Sequence, residues 1–100
     1  MNSKLFDVEG NIDRALHLMG RKSADLFILP ELFNTGYNFR NRSEVATVAE
    51  SVPHGPTTRA LAEFSKRDGP IVIAGIAEKQ GHNFYNSAVV LKRGNYLGTY

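Results

Sequence analysis

Glu31 stands directly after Pro30, at the end of the apolar run Leu26-Phe27-Ile28-Leu29, with Phe33, Tyr37 and Phe39 close behind it. A carboxylate among apolar and aromatic side chains can have its pKa raised and serve as a general base. The same position also suits an ordinary solvated loop carboxylate, so position alone leaves both readings open. Tyr37 closes this loop, where it either lines a substrate pocket or packs as core. The sequence has no cysteine. Within these residues that excludes a thiol nucleophile, a disulfide and thiolate metal sites. His17, His54 and His82 are far apart without ligand spacing, so no metal is expected. Gly75, Gly94 and Gly98 do not form a phosphate loop, and no cofactor is expected. Glu78 reads as a turn or ion-pair residue, and Asn86 as a side chain that satisfies backbone groups in a sheet. Arg40, Arg42, Lys66 and Arg67 read as solvated.

The elements that must position Glu31 follow from periodicity and boundary signals. Val8, Ile12, Ala15, Leu16 and Met19 form one face of a helix over about residues 8–22. Asp7 caps its start, and Arg21 and Lys22 suit the dipole at its end. Asp25 to Pro30 reads as a short strand buried on both faces and stopped by the proline. Asn34-Thr35-Gly36 is a turn. Ser43 is a candidate cap for a short helix through Val45, Ala46, Val48 and Ala49. Pro53, Gly55 and Pro56 mark a loop into a helix from Pro56 to Arg67, with Leu61, Phe64 and Ala60 on its apolar face and Asp68-Gly69-Pro70 as its stop. Ile71–Ala77 reads as a buried strand. Gln80 to Asn83 turns into a second strand, Asn86–Leu91, and Arg93-Gly94-Asn95 connects it to a third that starts at Tyr96.

Mixed helices and strands of this order pack as an α/β arrangement, a sheet with helices on at least one side. A helix that opens the chain and feeds a buried strand is usually a crossover from an earlier parallel strand. Tyr100 falls inside an apparent strand. Residues 1–100 are therefore expected to be one incomplete domain, truncated at both ends. Twelve basic and ten acidic side chains give a net charge of +2. That is too small to point to nucleic acid or a membrane surface. No apolar run approaches a membrane span, and Asn2, Ser3, Lys4, Asp7 and Glu9 interrupt any signal-peptide core, so a cytoplasmic protein is expected.

The stretch from Leu26 to Tyr37 (LFILPELFNTGY) resembles the first catalytic signature of the nitrilase superfamily of carbon–nitrogen hydrolases. That signature is a hydrophobic strand, then Pro-Glu, then a short loop ending in Gly-Tyr. Asn11 to Leu16 resembles the family's first helix. Gly55-Pro56-Thr57-Thr58 with Leu61-Ala62 is similar to its loop into the next helix. Ile73 to Glu78, Tyr85 to Val90 and Gly98-Thr99-Tyr100 resemble its following strands. These matches fall in family order along nearly the whole chain.

The resemblance implies part of an α-β-β-α sandwich and a Glu-Lys-Cys triad acting on an amide, an N-carbamoyl compound or a nitrile. In that chemistry Glu31 is the base, a lysine stabilises the oxyanion and a cysteine attacks carbon. Lys4, Lys79 and Lys92 do not match the family's lysine motif, which is expected just after Tyr100. With lysine and cysteine missing, these residues alone are expected to be inactive, and the full-length protein is expected to be a homo-oligomer. The alternative is a non-catalytic binding or interaction domain with half of the sandwich. A reading frame that continues into a lysine and a later cysteine favours the hydrolase.

Overall fold

The computed structural model describes residues 4–21, 24–36 and 41–100. Its elements are α1 (Val8–Gly20), β1 (Leu26–Leu29), α2 (Arg42–Ala46), α3 (Pro56–Asp68), β2 (Ile71–Gln80), β3 (Asn83–Lys92) and β4 (Asn95–Thr99). The Asp7 side chain accepts from the Gly10 N–H at 3.1 Å, so α1 begins where the capping signal placed it. At α2 the expected cap is corrected. Asn41, in extended backbone, accepts from the Glu44 N–H at 3.1 Å, and Ser43 lies inside the helix. A cap oxygen must reach the free N–H about three residues on, and Asn41 is the residue at that spacing from Glu44. Pro56 opens α3, and Gly69 ends it in the left-handed conformation (φ 74°) that glycine adopts at least cost.

The strands form one sheet in the order β1-β2-β3-β4. β1 runs parallel to β2, with Leu26 opposite Ile71 and Leu29 opposite Ala74. Parallel neighbours need a long crossover, which here contains α2 and α3. The other two pairings are antiparallel hairpins. Arg93 and Gly94 both have positive φ, as a two-residue hairpin turn requires.

Side chains alternate across a strand, so each strand presents two faces. One face carries Val72, Ala74, Ile76, Val89 and Leu91, all fully buried against Ala15 and Met19 of α1, Leu61 of α3 and Phe33. Phe27 and Phe64 meet edge to face at the margin of this core, with ring centroids 5.6 Å apart. Full burial of one large aliphatic side chain stabilises by about 1.5–3 kcal/mol, so this face supplies most of the cohesion.

The opposite face is open, which corrects the expectation that β1 is buried on both sides. Leu26 is 47% and Ile28 68% exposed, because the helices among the described residues cover one side only. No described helix is long and apolar enough to cross a membrane.

Candidate active site

Glu31 lies two residues past the carboxyl end of β1 and is exposed. Ligands in open α/β sheets bind beyond such strand ends. Its turn is fixed by backbone bonds. The Phe33 N–H donates to the carbonyls of Pro30 (3.2 Å) and Gly75 (3.1 Å), and the Gly36 N–H donates to Leu32 O at 2.9 Å. Leu32 is left-handed (φ 50°), a conformation that a bulky residue holds only when its surroundings impose it. Gly75 of β2 lets the turn sit this close. A Cβ there would lie 2.6 Å from Glu31 Cα and 3.0 Å from Pro30 O, so any side chain would push the turn off the sheet.

Asn86 is the partner of Glu31. Its Nδ2 donates to Glu31 Oε1. Asn86 therefore does not serve the sheet backbone with that group, as its sequence context had suggested. It pairs in register with Ala77 of β2, so its side chain stands on the open face, where the Glu31 carboxylate also arrives. Glu31 and Asn86 share the wall of a depression of about 330 Å³ whose apolar lining includes Ile28, Ile73, Ala88 and Tyr100.

The expected aromatic surround is different. Phe33 is 1% exposed and belongs to the core on the other face, while Tyr37 and Phe39 lie outside the described residues. Glu78 is neither in a turn nor paired with a cation in the described structure. It lies within β2 and accepts from Ser87 Oγ at 2.7 Å.

Three polar residues behind this site carried no functional expectation from sequence. Glu50 is 5% exposed. Its carboxylate accepts from the Thr57 N–H at 2.8 Å, Thr57 Oγ1 at 2.7 Å, the Thr58 N–H at 3.3 Å and, at 3.5 Å, Asn34 Nδ2. Burial pushes its carboxyl above the ordinary range, and the donors from Thr57, Thr58 and Asn34 offset part of that rise. Its backbone bridges β2, donating to Ala77 O at 3.0 Å and accepting from the Lys79 N–H at 2.9 Å.

Asn34 is fully buried three residues after Glu31, and its Nδ2 also donates to Thr57 Oγ1 at 3.0 Å. Asn11 of α1 donates from Nδ2 to the Asn34 carbonyl at 3.0 Å. Signals for two of these were legible. Asn11 falls four residues before Ala15 and eight before Met19, on the buried stripe of α1, where a polar side chain must find partners. Helix α3 starts at Gly55-Pro56 without a capping side chain, so its first N–H groups required an acceptor from elsewhere.

A larger depression, about 700 Å³, lies between the starts of α1 and α3 and is lined by Asp7, Glu9, Glu50, His54 and Lys79, among others. Glu31 is not on its wall, so the smaller depression is the candidate site.

The carbon–nitrogen hydrolase profile matches residues 1–100. The chain belongs to this family. A nitrilase of Pyrococcus abyssi is 40% identical over 103 residues, which take in all of this chain and 39% of that protein. An (R)-stereoselective amidase of a Pseudomonas species is 31% identical over 85% of this chain and 31% of its own length. The crystal structure of an N-terminal amidase superposes with a TM-score of 0.89 at 26% identity, over all of this chain and 26% of that one. The chain thus spans about two fifths or less of these carbon–nitrogen hydrolases, and its mixed four-stranded sheet with helices on one face matches part of their fold.

Proposed function

We propose that Glu31 is the general base of a Glu-Lys-Cys hydrolase that cleaves a non-peptide carbon–nitrogen bond in an amide, an N-carbamoyl compound or a nitrile. The lysine and the cysteine come, in this reading, from polypeptide beyond these 100 residues, which are inactive alone. The observation that carries it is the exposed Glu31 carboxylate beyond the end of β1, held by Asn86 at the edge of a mostly apolar depression. Asn86 engages Oε1, and among the described residues Oε2 stays open for proton transfer. On an amide, Glu31 takes the proton of the thiol, the thiolate adds to the carbonyl carbon and the lysine ammonium stabilises the oxyanion. Collapse expels the amine, which takes up the proton, and leaves a thioester. Glu31 then deprotonates a water that attacks the thioester, releasing the acid and restoring the thiol. Amide substrates are favoured by the names of two relatives, the (R)-stereoselective amidase and the N-terminal amidase. The same reading makes the complete polypeptide a cytoplasmic protein that self-associates.

The test is Glu31→Gln in the complete polypeptide that carries this chain, assayed on simple amides and nitriles. Turnover is expected to fall about 10²–10⁴-fold, the usual contribution of a general base, with the thermal midpoint unchanged. A variant that keeps more than about a tenth of the wild-type rate removes the base role.

A further inference from the structure

We propose that Glu50 is a positioning residue for Glu31, acting through Asn34 and the end of β2; the proposal rests on the general-base reading of Glu31. Two supports hold the Glu31 carboxylate in place, and both lead back to Glu50.

The first is the turn. Glu31 and Asn34 belong to one tight turn, tied by the hydrogen bond from the Thr35 N–H to Leu32 O at 3.2 Å and by the Phe33 N–H, which is shared between the carbonyls of Pro30 and Gly75. Asn34 is the buried end of that turn. Its amide reaches Thr57 Oγ1 and the Glu50 carboxylate, so the turn is fastened to the first residues of α3. The Thr57 hydroxyl donates to Glu50 Oε2, which leaves its lone pairs to accept from Asn34. Glu50 thus sets the direction of the hydroxyl that Asn34 needs.

The second support is Asn86. The Glu50 N–H bonds to the carbonyl of Ala77, and Ala77 is the register partner of Asn86. Glu50 therefore braces the strand end from which Asn86 reaches Glu31. Gly55 makes room for this. A Cβ at Gly55 would fall 2.7 Å from Glu50 Oε1.

A carboxylate buried only to cap α3 would need no bond to the turn that carries Glu31, yet Asn34 Nδ2 donates to it. Misplacing a base by about 1 Å can cost roughly 10²-fold in rate, so a small shift of this frame reaches the chemistry. The proposed outcome is a loss in kcat, because a displaced base acts on the reacting thiol more than on substrate binding.

The experiment is a double-mutant cycle in the complete polypeptide, with Glu50→Ala, Asn34→Ala and the pair. Activity is measured well below every thermal midpoint and followed against pH. Each single change is expected to lower kcat about tenfold with KM within about twofold, and the pair is expected to lose little more than either alone, as residues that act as one unit do. The acidic limb of the kcat/KM profile is expected to move with each variant, since it reports the ionisation of the base. Glu50→Gln keeps an oxygen for the Thr57 and Thr58 N–H groups but puts an amide where the Thr57 hydroxyl and Asn34 Nδ2 donate; turning the Asn34 amide over, so that Oδ1 accepts from the new amide and from the Thr57 hydroxyl, restores the link with its direction reversed. The Gln variant is expected to retain the rate within about threefold while the Ala variant does not. If Glu50→Ala fails to fold, Asn34→Ala and Glu50→Gln decide by the same rate and pH readings.

A folded Asn34→Ala or Glu50→Ala with unchanged kcat and pH profile overturns the proposal, as do losses that multiply in the pair. If Glu31→Gln itself keeps its rate, the general-base reading falls instead, so the two failures are distinguishable.

Discussion

Glu31 and Glu50 are carboxylates of the same kind in opposite surroundings. Glu31 is exposed, sits on a turn and, among the described residues, has Asn86 as its side-chain partner. Glu50 is almost fully buried and takes donors from Thr57, Thr58 and Asn34. A group that must exchange a proton with a reactant needs a free oxygen and access. A group that must hold a frame needs its lone pairs occupied. On the general-base proposal for Glu31, burial therefore does not mark the base. The buried carboxylate has its acceptors committed to protein donors, and such a group moves protons poorly while fixing geometry well.

Three changes sharpen this contrast. The largest effect is expected from Gly75→Ala, because the new Cβ would meet Glu31 Cα at 2.6 Å and the Pro30-Glu31-Leu32 backbone must move as a unit. Loss of turnover of about 100-fold is expected in the complete polypeptide, with a lower thermal midpoint, measured by steady-state kinetics and calorimetry. Unchanged kinetics would mean that the turn is not seated on β2 as described.

Asn86→Ala removes the side-chain hold that the described residues have on Glu31 and leaves both backbones in place. A fall in kcat of about tenfold is expected, since a loosened base loses its position, and the thermal midpoint is expected to move little because the bond is exposed. An Asn86→Ala rate equal to wild type would assign Asn86 to the sheet after all.

The smallest effect concerns Glu50 and pH. Its folded pKa is raised above the ordinary 4.5, chiefly by burial. A raised pKa means that the folded state holds the proton more tightly than the unfolded one. The resulting stabilisation is present below 4.5 and is lost as pH rises through the folded value. Glu50→Gln removes that dependence. The midpoint of the Gln variant minus that of wild type is therefore expected to grow as pH is raised from about 4 to 7, followed by thermal melts. A difference that shrinks over this range would show that the Thr57, Thr58 and Asn34 donors outweigh burial.

Much of the fold was legible in the sequence because local rules governed it. Asp7 caps α1, Gly69 stops α3 and Pro30 ends β1 where periodicity and turn chemistry placed them. The Pro-Glu motif marked Glu31 as the carboxylate of interest. What escaped was set by contacts between distant segments. Asn86 looked like a sheet residue, since nothing local says that a residue 55 positions away in the chain will arrive beside it. Glu50 drew no expectation at all, because its donors belong to a helix that begins six residues later. The burial of β1 was overestimated for a related reason. An apolar run shows that a strand can be covered on both faces, but not whether the covering elements lie within the same 100 residues.

The most direct measurement compares Glu31→Gln with Glu50→Gln in the complete polypeptide, with steady-state rate and thermal midpoint read side by side. The account predicts that Glu31→Gln loses about 10²-fold or more in rate at an unchanged midpoint, while Glu50→Gln keeps its rate within about threefold and shifts only its pH-dependent stability. A Glu31→Gln protein that turns over at more than about a tenth of the wild-type rate would contradict it.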